Sequence, residues 1–198
     1  MQAMNSLLSF FIGKTKVSIS FSFTVCITLL AILDKTGLLF ISLLAVFFHE
    51  LGHYIALQLL GVKDIEISFV LASVKLSLHE QLCNKKSAII AIAGPTVNLF
   101  LSLLLLYENY YIKYFGVANF ILFLFNMLPI ANLDGGDILK YLLCVLFKNR
   151  AEKLFCIVSF LVLSLFLTPL GVFFMLKYNN PTVILVSVYL IIMSYKKV

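Results

Sequence analysis

Leu38-Leu39-Phe40-Ile41-Ser42-Leu43-Leu44-Ala45-Val46-Phe47-Phe48-His49-Glu50-Leu51-Gly52-His53-Tyr54-Ile55-Ala56-Leu57 is long and apolar enough to cross a bilayer, yet two imidazoles and a carboxylate stand inside it. A spanning helix needs about 20 mostly apolar residues. A charge at its centre costs on the order of 2.5–3.5 kcal/mol on insertion scales, so such a residue is functional by default unless it is paired. On a helix, positions i and i+4 share a face, so His49 and His53 can meet one metal ion. Glu50, next to the first imidazole, stands where a general base for an attacking water is needed. With 3 His in 198 residues, this H-E-x-x-H spacing arises by chance roughly once in 1,000 such chains.

Working outward, the whole chain shares this character. It is 62% hydrophobic and 12% charged, with a mean hydropathy of +1.08. A soluble domain is about 45–50% apolar and about 25% charged, so a soluble globular fold is excluded. Disorder is excluded too, because disordered chains are poor in hydrophobes. The net charge of +6 reads as loop lysines of a membrane protein rather than as a nucleic-acid surface. Cys26, Cys83, Cys144 and Cys156 form no C-x-x-C pair and read as free thiols. Residues 1–13 carry no basic n-region and no A-x-A site follows, so no cleaved signal is expected. The apolar Leu7–Ile12 patch reads as interfacial.

Apolar windows at 17–33, 36–62, 87–107, 114–133, 154–176 and 178–195 predict about six transmembrane helices. The fold class expected is therefore an all-α polytopic membrane protein. The fourth window runs into Pro129, Asp134, Gly135 and Gly136 before apolar sequence resumes at Ile138. It reads as a broken helix, which the membrane tolerates only where the break is buried in protein or lines a cavity. With the N-terminus in the cytoplasm, Lys14, Lys16, Lys63, Lys75, Lys85, Lys86, Lys140, Lys148, Arg150, Lys153, Lys196 and Lys197 all fall inside, against Lys35, Lys113 and Lys177 outside. The positive-inside rule thus predicts two cytoplasmic termini. The β-branched, alternating segment at 64–78 reads as a short membrane-associated β-strand segment on that side, with an edge able to receive an extended peptide.

Two histidines leave a catalytic zinc site one protein ligand short. Asp134, a carboxylate at the break, is the third ligand expected; its bland alternative is a helix cap. His79, in the loop after the second span, reads as solvated, and Asp137 as a solvated or capping residue.

These motifs carry a family likeness. His49-Glu50-Leu51-Gly52-His53, Ala93-Gly94-Pro95-Thr96-Val97-Asn98 and Asn126-Met127-Leu128-Pro129 running into Leu133-Asp134-Gly135-Gly136 resemble, in order, the motifs of the site-2 protease family of intramembrane zinc metalloproteases. The likeness covers a core from about residue 37 to 148. The compact layout resembles the branch that includes the sporulation sigma-factor-processing protease. The resemblance implies that His49, His53 and Asp134 hold zinc and that Glu50 is general base and then proton donor. It implies that Asn126 positions substrate or polarises the scissile carbonyl, that Pro129 shapes the loop, and that Gly94, Pro95 and Asn98 pack or line the site. Each has a structural alternative: Gly94 and Pro95 as a helix kink, Asn98 and Asn126 as interhelical hydrogen-bond partners.

The expectation is a single intramembrane metalloprotease domain over 1–198, with no PDZ or CBS domain, in a bacterial cell membrane. Fourteen of its 15 basic residues are lysine, a skew that fits an AT-rich bacterial genome. It would cleave a membrane-associated protein substrate, such as a transcription factor precursor, with one zinc ion as cofactor. The lipid bilayer is a partner and nucleic acid is not; regulatory membrane proteins or a homo-oligomer are compatible with the sequence. The rival expectation is a metal or proton transporter using His49, Glu50, His53 and Asp134 as an intramembrane relay.

Overall fold

The computed structural model describes residues 6–12, 15–62, 65–70, 73–78, 84–131, 133–179, 183–185 and 187–188. His79 and Cys83 lie outside them, as does most of the sixth expected span. In chain order the elements are β1 (Ser6–Ile12), β2 (Thr15–Ser20), α1 (Phe21–Leu33), α2 (Leu38–Leu59), β3 (Ile65–Val70), β4 (Ser73–Leu78), α3 (Asn84–Ser102), α4 (Tyr110–Asn126), α5 (Asp134–Phe147), α6 (Ala151–Val162) and α7 (Thr168–Tyr178).

Among the described residues, three helical stretches are long and apolar enough to cross a membrane: Leu38–Leu59, Lys85–Leu106 and Ala151–Tyr178. The first and fourth windows are shorter as helices than their hydropathy suggested. The first gives its opening residues to β2, leaving α1 with 13 residues, about 20 Å at 1.5 Å per residue against a hydrocarbon core of about 30 Å. The fourth is broken as expected, with α4 ending at Asn126 and α5 starting at Asp134.

The all-α expectation needs correction. The strands expected near 64–78 are present as β3 and β4, but they form half of a four-stranded sheet in the order β1-β2-β3-β4. β1 and β2 are hidden in the sequence for two different reasons. In β1, Leu7-Leu8 and Phe10-Phe11 break the alternation that signals a strand. In β2, Thr15-Lys16-Val17-Ser18-Ile19-Ser20 does alternate, but it merges into an apolar window that hydropathy reads as helix.

β2 and β3 pair in parallel, Lys16 opposite Glu66 and Ile19 opposite Phe69. Parallel neighbours need a crossover, here the α1–α2 helical hairpin, so residues 15–20 and 65–70 end on the same side of it. Lys16 Nζ meets Glu66 Oε1 at 2.9 Å, and the buried Ser18 hydroxyl donates to Ser68 Oγ at 3.0 Å. Leu57, Val62 and Ile65 form a buried cluster beneath this junction. The sheet is thereby seated at the C-terminal end of α2, the helix that carries the H-E-x-x-H motif.

α2, α3 and α4 pack on one another, and α5 packs on α3 and α6. Gly52 sets the α2–α3 distance, since a Cβ there would stand 2.9 Å from the Ala93 carbonyl oxygen. α6 and α7 are one helix joined by a wide turn at Leu163–Leu167. Pro169 stands two residues beyond its end and has no N–H for the helical ladder, which accounts for the widened turn. Cys26, Cys144 and Cys156 are free.

Candidate metal centre

His49 and His53 are one helical turn apart on α2 and both are buried. Their Nε2 atoms lie 3.1 Å apart. Asp134, the first residue of α5, brings its Oδ2 to 3.2 Å from His49 Nε2 and 3.4 Å from His53 Nε2. The three residues form a group able to hold a metal ion.

What orients the imidazoles is found on α3. The carbonyl of Ile90 faces His53 Nδ1 at 2.8 Å, and a carbonyl only accepts, so that nitrogen carries the proton. The His49 Nδ1 likewise faces the Asn98 side-chain oxygen. With each Nδ1 donating, each neutral ring directs its Nε2 lone pair inward. Asp134 Oδ2 is buried and has no hydrogen-bond partner. Three lone pairs therefore converge with no proton between them, an arrangement that is repulsive unless a cation occupies the centre.

The spacing fits zinc. Tetrahedral zinc with nitrogen and oxygen ligands at about 2.0–2.1 Å separates neighbouring ligand atoms by about 3.3–3.4 Å. The observed separations run from 3.1 to 3.4 Å. Two imidazoles and one carboxylate leave a fourth position, as catalytic zinc sites do.

Space for the rings depends on Gly94. A Cβ there would stand 2.3 Å from His53 Nε2 and 2.9 Å from His49 Cε1. Pro95, next to it, is fully buried and lies within α3. Glu50 is half-buried and close enough to His49, His53 and Asp134 to interact with all three electrostatically.

The connection from α4 to α5 delivers Asp134. Asn126 closes α4 at the start of this loop and is half-buried, as is Pro129. The Pro129 carbonyl accepts a 2.9 Å hydrogen bond from the Ser159 hydroxyl on α6. Ile130 is fully buried against Leu163 and Leu167 of the wide turn. Gly135 and Gly136 let the first turn of α5 fold back under the loop, because a Cβ at either would stand 2.3 Å from the Met127 or 2.1 Å from the Ile130 carbonyl oxygen. Asp137 is exposed.

Asn119 and Ser159 belong to none of the sequence motifs. Asn119 is fully buried on α4 and accepts from the Asn98 amide at 2.7 Å. The available signal was a lone amide in an otherwise apolar window, which in a membrane points inward. Ser159 gave no comparable signal, because serines recur in lipid-facing helices as back-bonders to their own helix.

Residues 108–167 match the model of peptidase family M50. No curated protein matches the chain significantly. The fold is similar to that of a solved structure, the site-2 protease from Methanocaldococcus jannaschii, with a TM-score of 0.65 and 23% sequence identity over 96% of this chain and 94% of that one. The family match thus covers 60 of the 198 residues, while the likeness of fold to that protease extends over nearly the whole chain.

Proposed function

We propose that this chain is an intramembrane zinc metalloendopeptidase that cleaves a membrane-associated protein, with His49, His53 and Asp134 as metal ligands and Glu50 as general base. The observation that carries the reading is the convergence of two Nε2 lone pairs and the orphaned Asp134 Oδ2 within 3.4 Å, between helices of a membrane protein. Zinc, when bound there, supplies Lewis acidity at the fourth position.

The chain's own residues supply the rest. Glu50 takes a proton from the attacking water as oxygen adds to the peptide carbonyl, and gives it to the amide nitrogen as the C–N bond breaks. Asn126, where the loop leaves α4, is proposed to hold the substrate carbonyl, and Pro129 to shape the loop. A peptide bond inside a helix is shielded, so the substrate is taken as an unwound strand. The proposed setting is a bacterial membrane, with both termini and the sheet on the cytoplasmic side, and a tethered transcription factor precursor is the substrate kind to try first.

The test is co-expression with epitope-tagged, membrane-tethered transcription factor precursors, wild type against Glu50→Gln. The wild type is expected to cut one of them and to purify with one zinc per chain. Glu50→Gln is expected to keep the zinc and lose cleavage. A Glu50→Gln chain that still cuts, or a metal-free wild type, overturns the reading.

A further inference from the structure

The His49 ring is oriented by a chain of side-chain amides that begins on a different helix. Asn119, on α4, donates its amide N–H to the Phe115 carbonyl at 2.8 Å. That carbonyl can only accept, so the Asn119 nitrogen must face it and the Asn119 oxygen must face away. The oxygen accepts from Asn98 Nδ2 at 2.7 Å, and Asn98 Nδ2 also lies 3.5 Å from the Ala45 carbonyl. Asn98 is thereby turned so that its own oxygen meets His49 Nδ1. Asn98 and Asn119 are both fully buried, so no water can substitute for either partner.

An amide is nearly symmetric in shape but not in polarity. Were Asn98 turned over, its NH₂ would face His49 Nδ1 and place the ring proton on Nε2, where it would block the metal. We propose that Asn119 is a positioning residue: through Asn98 it sets the polarity of the amide chain and so keeps the His49 Nε2 lone pair free for the metal. This rests on His49 being a metal ligand. His53 has no share in the chain, because its Nδ1 is held directly by the Ile90 backbone.

The asymmetry between the two histidines gives the test. The full-length chain, with 15N-labelled histidine, is examined in detergent micelles after chelator treatment, at a pH alkaline enough to keep both imidazoles neutral, as wild type, Asn119→Leu and Asn119→Asp. Leucine keeps the number and branching of the side-chain heavy atoms and removes both hydrogen bonds. A carboxylic acid at this position can donate its O–H to Phe115 and accept from Asn98 through its C=O, preserving the direction.

In wild type the His49 signals are expected to show a protonated Nδ1 and an unprotonated Nε2. In Asn119→Leu they are expected to lose that pattern while those of His53 keep it. Zinc affinity, read by competition with a chromophoric chelator, is expected to fall about 10–100-fold in Asn119→Leu and to stay near wild type in Asn119→Asp. Unchanged His49 signals in Asn119→Leu overturn the proposal. Equal changes at His49 and His53 also overturn it, since they mean a packing role only. A wild type that binds no zinc defeats the proposed function, while the nitrogen signals of the metal-free protein still decide this inference.

Discussion

Gly94 on α3 lies so close to the His53 imidazole on α2 that a Cβ built on it would stand 2.3 Å from Nε2. The absence of a side chain at 94 therefore creates the space in which two rings and a carboxylate meet. Gly94→Ala is expected to displace the His53 ring and to lower zinc affinity by about 10–100-fold, the scale of other changes that misorient ligands. Helical content should be nearly unchanged, because alanine is at home in a helix. Zinc content by elemental analysis, beside circular dichroism, checks this; a fully loaded Gly94→Ala chain would contradict it.

Asp134→Ala removes the third ligand and should purify with well under one zinc per chain. It also removes the orphaned Oδ2 from between two lone pairs. The metal-free Asp134→Ala chain is therefore expected to be more stable than metal-free wild type, by about 1–3 kcal/mol, the cost of a buried unsatisfied polar atom. Thermal unfolding of both after chelation reads the difference. Zinc should restore stability to the wild type only.

The loop that carries Asp134 is anchored from α6. Ser159→Ala breaks the hydrogen bond to the Pro129 carbonyl and should cost about 1 kcal/mol. Ile130→Ala empties a fully buried site against Leu163 and Leu167 and should cost about 2–5 kcal/mol. Both are expected to weaken zinc binding, Ile130→Ala the more. Loss of stability with zinc affinity intact would show that the loop is held elsewhere.

The hairpin between α1 and α2 has its own pH dependence. Asp34 accepts from the Thr36 hydroxyl at 2.6 Å and from the backbone N–H groups of Leu39 at 2.8 Å and Thr36 at 2.9 Å. The Thr36 hydroxyl, then these amides, hold its carboxyl below the usual carboxylate range. A lowered native pKa means a contribution to stability that is present above the unfolded value, about 3.9, and is lost as the pH falls through the native one. Asp34→Ala should thus lower the melting temperature at pH 7, with the gap closing in acid. A gap that persists under acid conditions would rule out the charge as its source.

Some of this could be read locally. The pairing of His49 with His53 depends only on the 3.6-residue helical repeat, so spacing revealed it. Asp134 was legible because a carboxylate among apolar neighbours is costly anywhere in the chain. The break of the fourth window followed from Pro129 and the adjoining glycines. β1 could not be read, since Leu7-Leu8 and Phe10-Phe11 break the alternation of a strand, and its partner β2 merges into an apolar window.

By itself the sequence determined that the chain belongs in a bilayer, which residues can bind metal and where the backbone breaks, because composition, helical period and helix-breaking residues act within a few positions of one another. Only the tertiary structure decided that Asp134 closes on the two imidazoles, that Gly94 leaves room for them, and that Asn119 directs Asn98 toward His49. Those relationships join α2 to α3, α4 and α5, across sequence separations where no local preference reaches and only packing selects the partner.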